Sequence, residues 1–253
     1  MVVTAEPLIR RDPVAEAAIA DEAITGRLAC DPARPWPLPP VGIGAWQARL
    51  PACAARLMRT ALAAGLGPLV PDLLNVRLCR PIFHARLELA ELLVRRPDGR
   101  FATLLLGMLP DRLGHVDGTS RVVHALNAAD PPLLDGPEQV MDYLRWFCAV
   151  VCGDHGGFLV VERLTDLPFT AVTPALGDRL AQVLKPLTVH GRTAGGDWMI
   201  AGCLLHAAAL YQVEMRVGPD GLVEMLDDCI ALDNLPCRRP GIRRGYRVAD
   251  VAD

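Results

Sequence analysis

Lysine is almost missing from this chain: Lys185 stands alone against 25 arginines. Many arginine codons are GC-rich and lysine codons are not, so the imbalance, with abundant Ala, Leu and Pro, points to a GC-rich bacterial genome. An excess of basic charge is missing too. The formal net charge is −3, which excludes a global field for holding nucleic acid. No run is apolar for long enough to span a bilayer. Histidine aside, the longest stretch without charge is Trp198 to Val213, 16 residues that include His206 and Gln212, where a span needs about 20. MVVTAEPLIRRDPVAEAAIADEA at the N-terminus places acids early and lacks the basic-then-apolar order of a secretory signal. The expectation is a soluble, cytoplasmic protein with no membrane association.

Catalytic signatures are equally scarce. GxxxxGK[ST] is absent, and GDHGG at 153–157 follows a helical pattern instead of opening one, so it is no phosphate loop. GxSxG is absent, since residues 118–121 read Gly118-Thr119-Ser120-Arg121. Eight cysteines occur, Cys30, Cys53, Cys79, Cys148, Cys152, Cys203, Cys229 and Cys237. They sit among apolar residues in a chain too long to need disulfide staples. Reduced, buried thiols are their expected state. No cofactor is expected.

What is present is apolar mass. About half the 253 residues are hydrophobic and 22% charged, enough for a sizeable core. Residues 1–70 read as a helical, proline-bearing lead: a helix over 13–28, the extended connector DPARPWPLPP at 31–40, then a helix over 51–66. Residues 71–236 read as an α+β domain, and 237–253 as an arginine-rich tail. The strongest local signal is Pro97-Asp98-Gly99 between two apolar runs at 86–108. Proline sets the turn's first φ, aspartate bonds the backbone ahead, and glycine takes φ > 0, giving a three-residue β-hairpin loop with a bulge. Pro219-Asp220-Gly221 repeats the device at 211–232, where Val213, Met215 and Val217 alternate with Glu214 and Arg216. Two independent hairpins are favoured over a duplication. The alanine-rich segment 198–210 is read as strand, with helix as its alternative. A helix at 135–152 is expected from a capping-box-like Asp135…Glu138 and an apolar stripe Val140, Tyr143, Leu144, Phe147, Cys148 and Val151. The fold class is therefore α+β, an antiparallel sheet of at least two hairpins packed on that helix.

Several groups carry possible chemistry. On the helix, Cys148 and Cys152 would lie one turn apart, with His155 three residues on. That offers three weak metal ligands without a fourth. HVDGTSRVVH at 115–124 holds His115, Asp117 and His124, expected around an Asp-Gly turn that opens a strand at 121–126. Together with Asp154 and His155 they are the catalytic candidates for a metal-assisted hydrolase, should they converge. Glu88 and Glu91 are expected at the polar edge of the first hairpin, and Asp227-Asp228 as solvent-facing acids at a strand end. His84 and His206 are expected to bond backbone. In the tail, Arg238, Arg239, Arg243, Arg244 and Arg247 accompany Tyr246 with no acid among 237–247. They suit a self-docked tail, a protein partner or, less well, nucleic acid. The leading expectation is a binding or adaptor protein, with the hydrolase as alternative.

Overall fold

The computed structural model describes residues 7–29, 31, 33–42, 44–48 and 51–251. Cys30 and the ends of the lead and tail, 1–6 and 252–253, lie outside the described residues. The lead contains β1 (Ile9–Arg10), α1 (Pro13–Ala18), α2 (Asp21–Thr25), β2 (Gln47–Ala48) and α3 (Pro51–Ala63). The single helix expected over 13–28 is broken at Ile19, whose backbone is extended. Its apolar stripe was loose, and Asp12 caps only the first piece, accepting from the Val14 and Ala15 amides.

Two sheets carry the fold. The first contains β3 (Asp72–Cys79), β4 (Glu88–Arg95), β5 (Phe101–Met108) and β6 (Arg112–His115), in the order β1-β6-β5-β4-β3-β2. After β6 come α4 (Ser120–Ala129) and α5 (Pro137–Val150), then the small ribbon β7 (Cys152–Gly153) and β8 (Gly156–Gly157). The second sheet follows: β9 (Leu159–Val160), β10 (Thr188–Arg192), β11 (Trp198–His206), β12 (Ala209–Val217) and β13 (Val223–Leu232), with α6 (Pro174–Val183) between β9 and β10. Finally β14 (Gly241–Arg243) and β15 (Tyr246–Val248) form a hairpin that returns to the first sheet, Arg247 pairing with Thr103 of β5.

The strand patterns explain the layering. On β4, Ala90, Leu92 and Val94 share a core with α3, while Leu89 joins a core with α4 and α5. On β11, Ile200 and Leu204 join that same α4–α5 core, while Cys203 and Leu205 pack with Leu180 of α6. Helices α4 and α5 thus lie between the sheets, α3 covers the outer face of the first and α6 that of the second. The first sheet is apolar on both faces, whereas the outer face of the second is apolar at Cys203, Leu205 and Leu210 and polar at Gln212, Glu214 and Arg216.

The α+β class and both PDG hairpins are present. In each, the amide of the residue before proline bonds across the loop (Arg96 to Arg100, Gly218 to Leu222), and the glycine amide closes the turn (Gly99 to Arg96, Gly221 to Gly218). Gly99 and Gly221 have φ of +80° and +79°. They join β4 to β5 in one sheet and β12 to β13 in the other. Segment 198–210 is strand, with a turn the sequence hides: Ala207 and Ala208 both take positive φ, 49° and 66°, so 198–217 is itself a hairpin. Non-glycine residues are uncommon in that region, and nothing in AAA announces it.

Segment 121–126 is helix, correcting the expected strand. Val122, Val123 and Leu126 are buried at helical spacing. Asp117 Oδ1 accepts from the Thr119 amide at 2.9 Å and its hydroxyl at 2.7 Å, forming a turn that launches α4. The expected helix at 135–152 ends at Val150, so Cys152 belongs to β7 and shares no helical face with Cys148. Its start also differs. Gly136 is the cap, its amide donating to Gln139 Oε1 at 2.8 Å. Asp227 and Asp228 lie within β13, which runs on to Leu232 rather than stopping before them. Among the described residues, no helix is long and apolar enough to cross a membrane.

Candidate functional site

The five hydrolase candidates do not gather. His115 Nε2 lies 2.9 Å from Gly245 O and so touches the turn of the C-terminal hairpin. Asp117 is engaged in its own turn. His124, on α4, has its ring 6.0 Å from Phe147. Asp154 and His155 are exposed in the turn between β7 and β8, with His155 6.4 Å from the His206 ring. Among the described residues, no three His, Cys, Asp or Glu side chains are placed to hold a metal ion. Cys148, Cys152 and His155 are therefore not brought together. Burial pushes the Cys148 thiol up to about 12 and raises that of Cys152, the reverse of what a nucleophile needs. His84 and His206 do approach backbone carbonyls, Asp130 O at 2.7 Å and Gly157 O at 3.4 Å.

These positions imply an order of thiol reactivity. Cys229 is exposed, whereas Cys79, Cys148 and Cys203 are buried. Under native conditions a maleimide is expected to modify Cys229 fastest among the described cysteines, and the buried three only on unfolding. Peptide mapping of a timed reaction checks this; modification of Cys148 as fast as Cys229 would contradict its burial.

Three arginines of the tail, Arg243, Arg244 and Arg247, do converge. The source of the arrangement is a buried ion cluster that the sequence reading placed at an edge. Glu91 is fully buried, correcting the expected polar position. It lies directly across from Arg77 in the β3–β4 ladder and pairs with both Arg77 and Arg247. Its Oε1 also accepts from the Val41 amide at 3.1 Å. The guanidiniums in turn hold the connector: Arg77 donates to Leu38 O at 3.1 Å and Arg247 to Pro39 O at 3.2 Å. Arg77 also lies 4.0 Å from the Trp36 ring and 5.7 Å from that of Trp46, which explains why an indole sits in a proline-rich segment. Burial lowers the affinity of both arginines for their protons, and the Glu91 charge opposes that loss. One signal for this was visible. Leu89, Glu91 and Leu93 occupy one strand face and Ala90 and Leu92 the other, so a strand apolar on both faces leaves its central acid inside.

Around this cluster two cavities open side by side. One, of about 480 Å³, is lined by Arg96, Arg100, Arg243, Arg244 and Arg247 with a single acid, Asp98. Asp98 pairs with Arg96 at 2.7 Å, and Arg247 is held by Glu91. Arg243 donates to Val251 O at 3.2 Å. Arg100 and Arg244 are exposed and have no ion-pair partner among the described residues. The other cavity, about 310 Å³, is mainly apolar, with Val41, Phe158 and Leu159 in its wall. Pro37, Leu38, Arg247, Val248 and Ala249 line both. The two-residue turn Arg244-Gly245 aims Arg243 and Arg244 outward, and His115 steadies it from beneath. Tyr246 is buried under the Arg96 guanidinium, 5.5 Å from its ring, and its hydroxyl donates to Leu69 O at 2.9 Å. It offers no face for stacking a base. Arg238 borders the apolar cavity, and Arg239 approaches Asp250 at 3.7 Å.

The site thus sets exposed positive charge beside an apolar wall. Compared with family models, curated proteins and solved structures, the chain matches none.

Proposed function

We propose that this is a binding protein without turnover, whose ligand carries an anionic head and an apolar body. The observation that carries the reading is the pairing of uncompensated Arg100 and Arg244 with an adjoining apolar cavity across a shared wall. Cavities of a few hundred Å³ with an apolar lining and a few convergent polar groups are the usual form of small-ligand sites. Guanidinium recognises phosphate and carboxylate by forked hydrogen bonds. Apolar carbons entering the second cavity each add up to about 0.8 kcal/mol. Seven free thiols among the described residues support a reducing compartment such as a cytoplasm. The hydrolase alternative has less support, because among the described residues no three of its candidates are placed to hold a metal ion.

Calorimetry with n-octyl phosphate, inorganic phosphate and n-octanol tests this. Octyl phosphate is expected to bind at least tenfold more tightly than phosphate, and octanol more weakly still. The double substitution Arg100→Ser/Arg244→Ser is expected to cost octyl phosphate tenfold or more, since charge-assisted hydrogen bonds contribute about 1.5–3 kcal/mol each. Equal binding of octanol, or a double variant with unchanged affinity, would refute the reading.

A further inference from the structure

The second sheet ends in an open edge of unusual length. Strand β13 has ten residues and is the last in the order β10-β11-β12-β13. Its inner side pairs with β12. Its outer side has no backbone partner among the described residues. Met225, Leu226 and Ile230 are 46%, 48% and 57% exposed, and every residue from 225 to 230 is open to solvent. A long apolar edge is a template for another strand unless it is blocked.

Register assigns the two faces of this edge, because directly opposed residues share a face. Val223, Met225, Asp228 and Ile230 oppose Val217, Met215, Val213 and Tyr211, on the side of the α4–α5 core. Glu224, Asp227 and Cys229 oppose Arg216, Glu214 and Gln212 on the other. One face is thus mainly apolar and the other acidic. Glu224 pairs with Arg216, whereas Asp227 and Asp228 have no ion-pair partner among the described residues.

The charges choose the occupant. A second copy paired about a two-fold axis at Asp227 or at Asp228 would set that aspartate against its own counterpart, and like charges placed opposite destabilise a ladder. We infer that β13 is a docking edge for an extended segment of another protein, one that alternates apolar and basic residues. Such a segment adds a strand through its main chain. Its apolar side chains extend the row of Met225 and Ile230, and its basic ones lie on the face that carries Asp227. The inference is independent of the arginine cleft, which lies on the first sheet and the connector.

The probe is a blocked, fluorescein-labelled ten-residue peptide alternating valine and lysine, with a valine–glutamate counterpart as control. Polarisation titrations are expected to show the lysine peptide binding at least tenfold more tightly than the glutamate peptide. Asp227→Lys/Asp228→Lys is expected to reverse that order; both positions are exposed, and circular dichroism checks that the fold is kept. On the unmodified chain, saturating lysine peptide is expected to slow maleimide labelling of Cys229 severalfold. Equal binding of the two peptides, no binding at millimolar concentration, or unchanged Cys229 labelling would each overturn the inference. So would a dimer by sedimentation that dissociates in the double-lysine variant, since it would show that a second copy fills the edge.

Discussion

Gly221→Ala is expected to destabilise the protein by about 3 kcal/mol or more, and Gly99→Ala by only about 1 kcal/mol. The two glycines hold the same place in the same Pro-Asp-Gly turn, with φ of +79° and +80°, so the backbone cost of a side chain is shared. Their surroundings differ. A Cβ on Gly99 would meet nothing within 4 Å. One on Gly221 would collide with the Asn127 amide nitrogen and lie 2.7 Å from the Tyr143 hydroxyl. That hydroxyl donates to Gly221 O at 2.6 Å and accepts from Asn127 at 2.8 Å. It ties the β12–β13 turn to both central helices, and Tyr143 is fully buried. A clash there breaks a buried hydrogen-bond pair as well as packing. At roughly 2–4 °C per kcal/mol for a chain of this size, thermal melts should separate the two variants by several degrees. Equal losses would mean that the turn at 221 is not packed as described.

Glu91→Ala is expected to be the most damaging single change among the charged residues, costing about 3–5 kcal/mol. It leaves two guanidiniums buried side by side with no counter-charge, and removes the acceptor of the Val41 amide. Arg247→Met should cost less, because Arg77 and Glu91 still neutralise one another. Urea denaturation of the two variants gives the order directly. If Glu91→Ala were no worse than Arg247→Met, the cluster would not be held by its acid.

Much of the scaffold was legible from sequence because it is written in local chemistry. Pro-Asp-Gly fixes φ, donor and acceptor within three residues, and both turns formed with the hydrogen bonds such a tripeptide dictates. The helix at 137–150 was legible for a similar reason, its apolar stripe recurring through Val140, Tyr143 and Leu144. Misreadings arose where two periods overlap. In RVVHALNAA, two adjacent valines fit a strand as well as a helix, and burial at 122, 123 and 126 decided for the helix. At 207–208 the turn is enforced by pairing on both sides, Leu205 with Leu210 and His206 with Ala209, and alanine merely tolerates it. The site was half visible. Arginines crowded near the end of the chain announced positive charge, yet the cavity they line depends on Trp36 and Leu38, Arg77, Glu91 and Arg100, brought there by three other segments. No spacing rule links those positions, because only the folded sheet makes them neighbours.

The bond between Glu91 and Arg247 joins residues 156 apart in the chain. At roughly 5–20 residues per second, a ribosome adds Arg247 about 8–30 s after Glu91. Throughout that interval the stretch of β5 around Thr103 waits without its last neighbour, and the connector lacks the bond that Arg247 makes to Pro39. Any first sheet assembled within that interval is unsealed at this edge, and it is then that a chaperone would have most to shield.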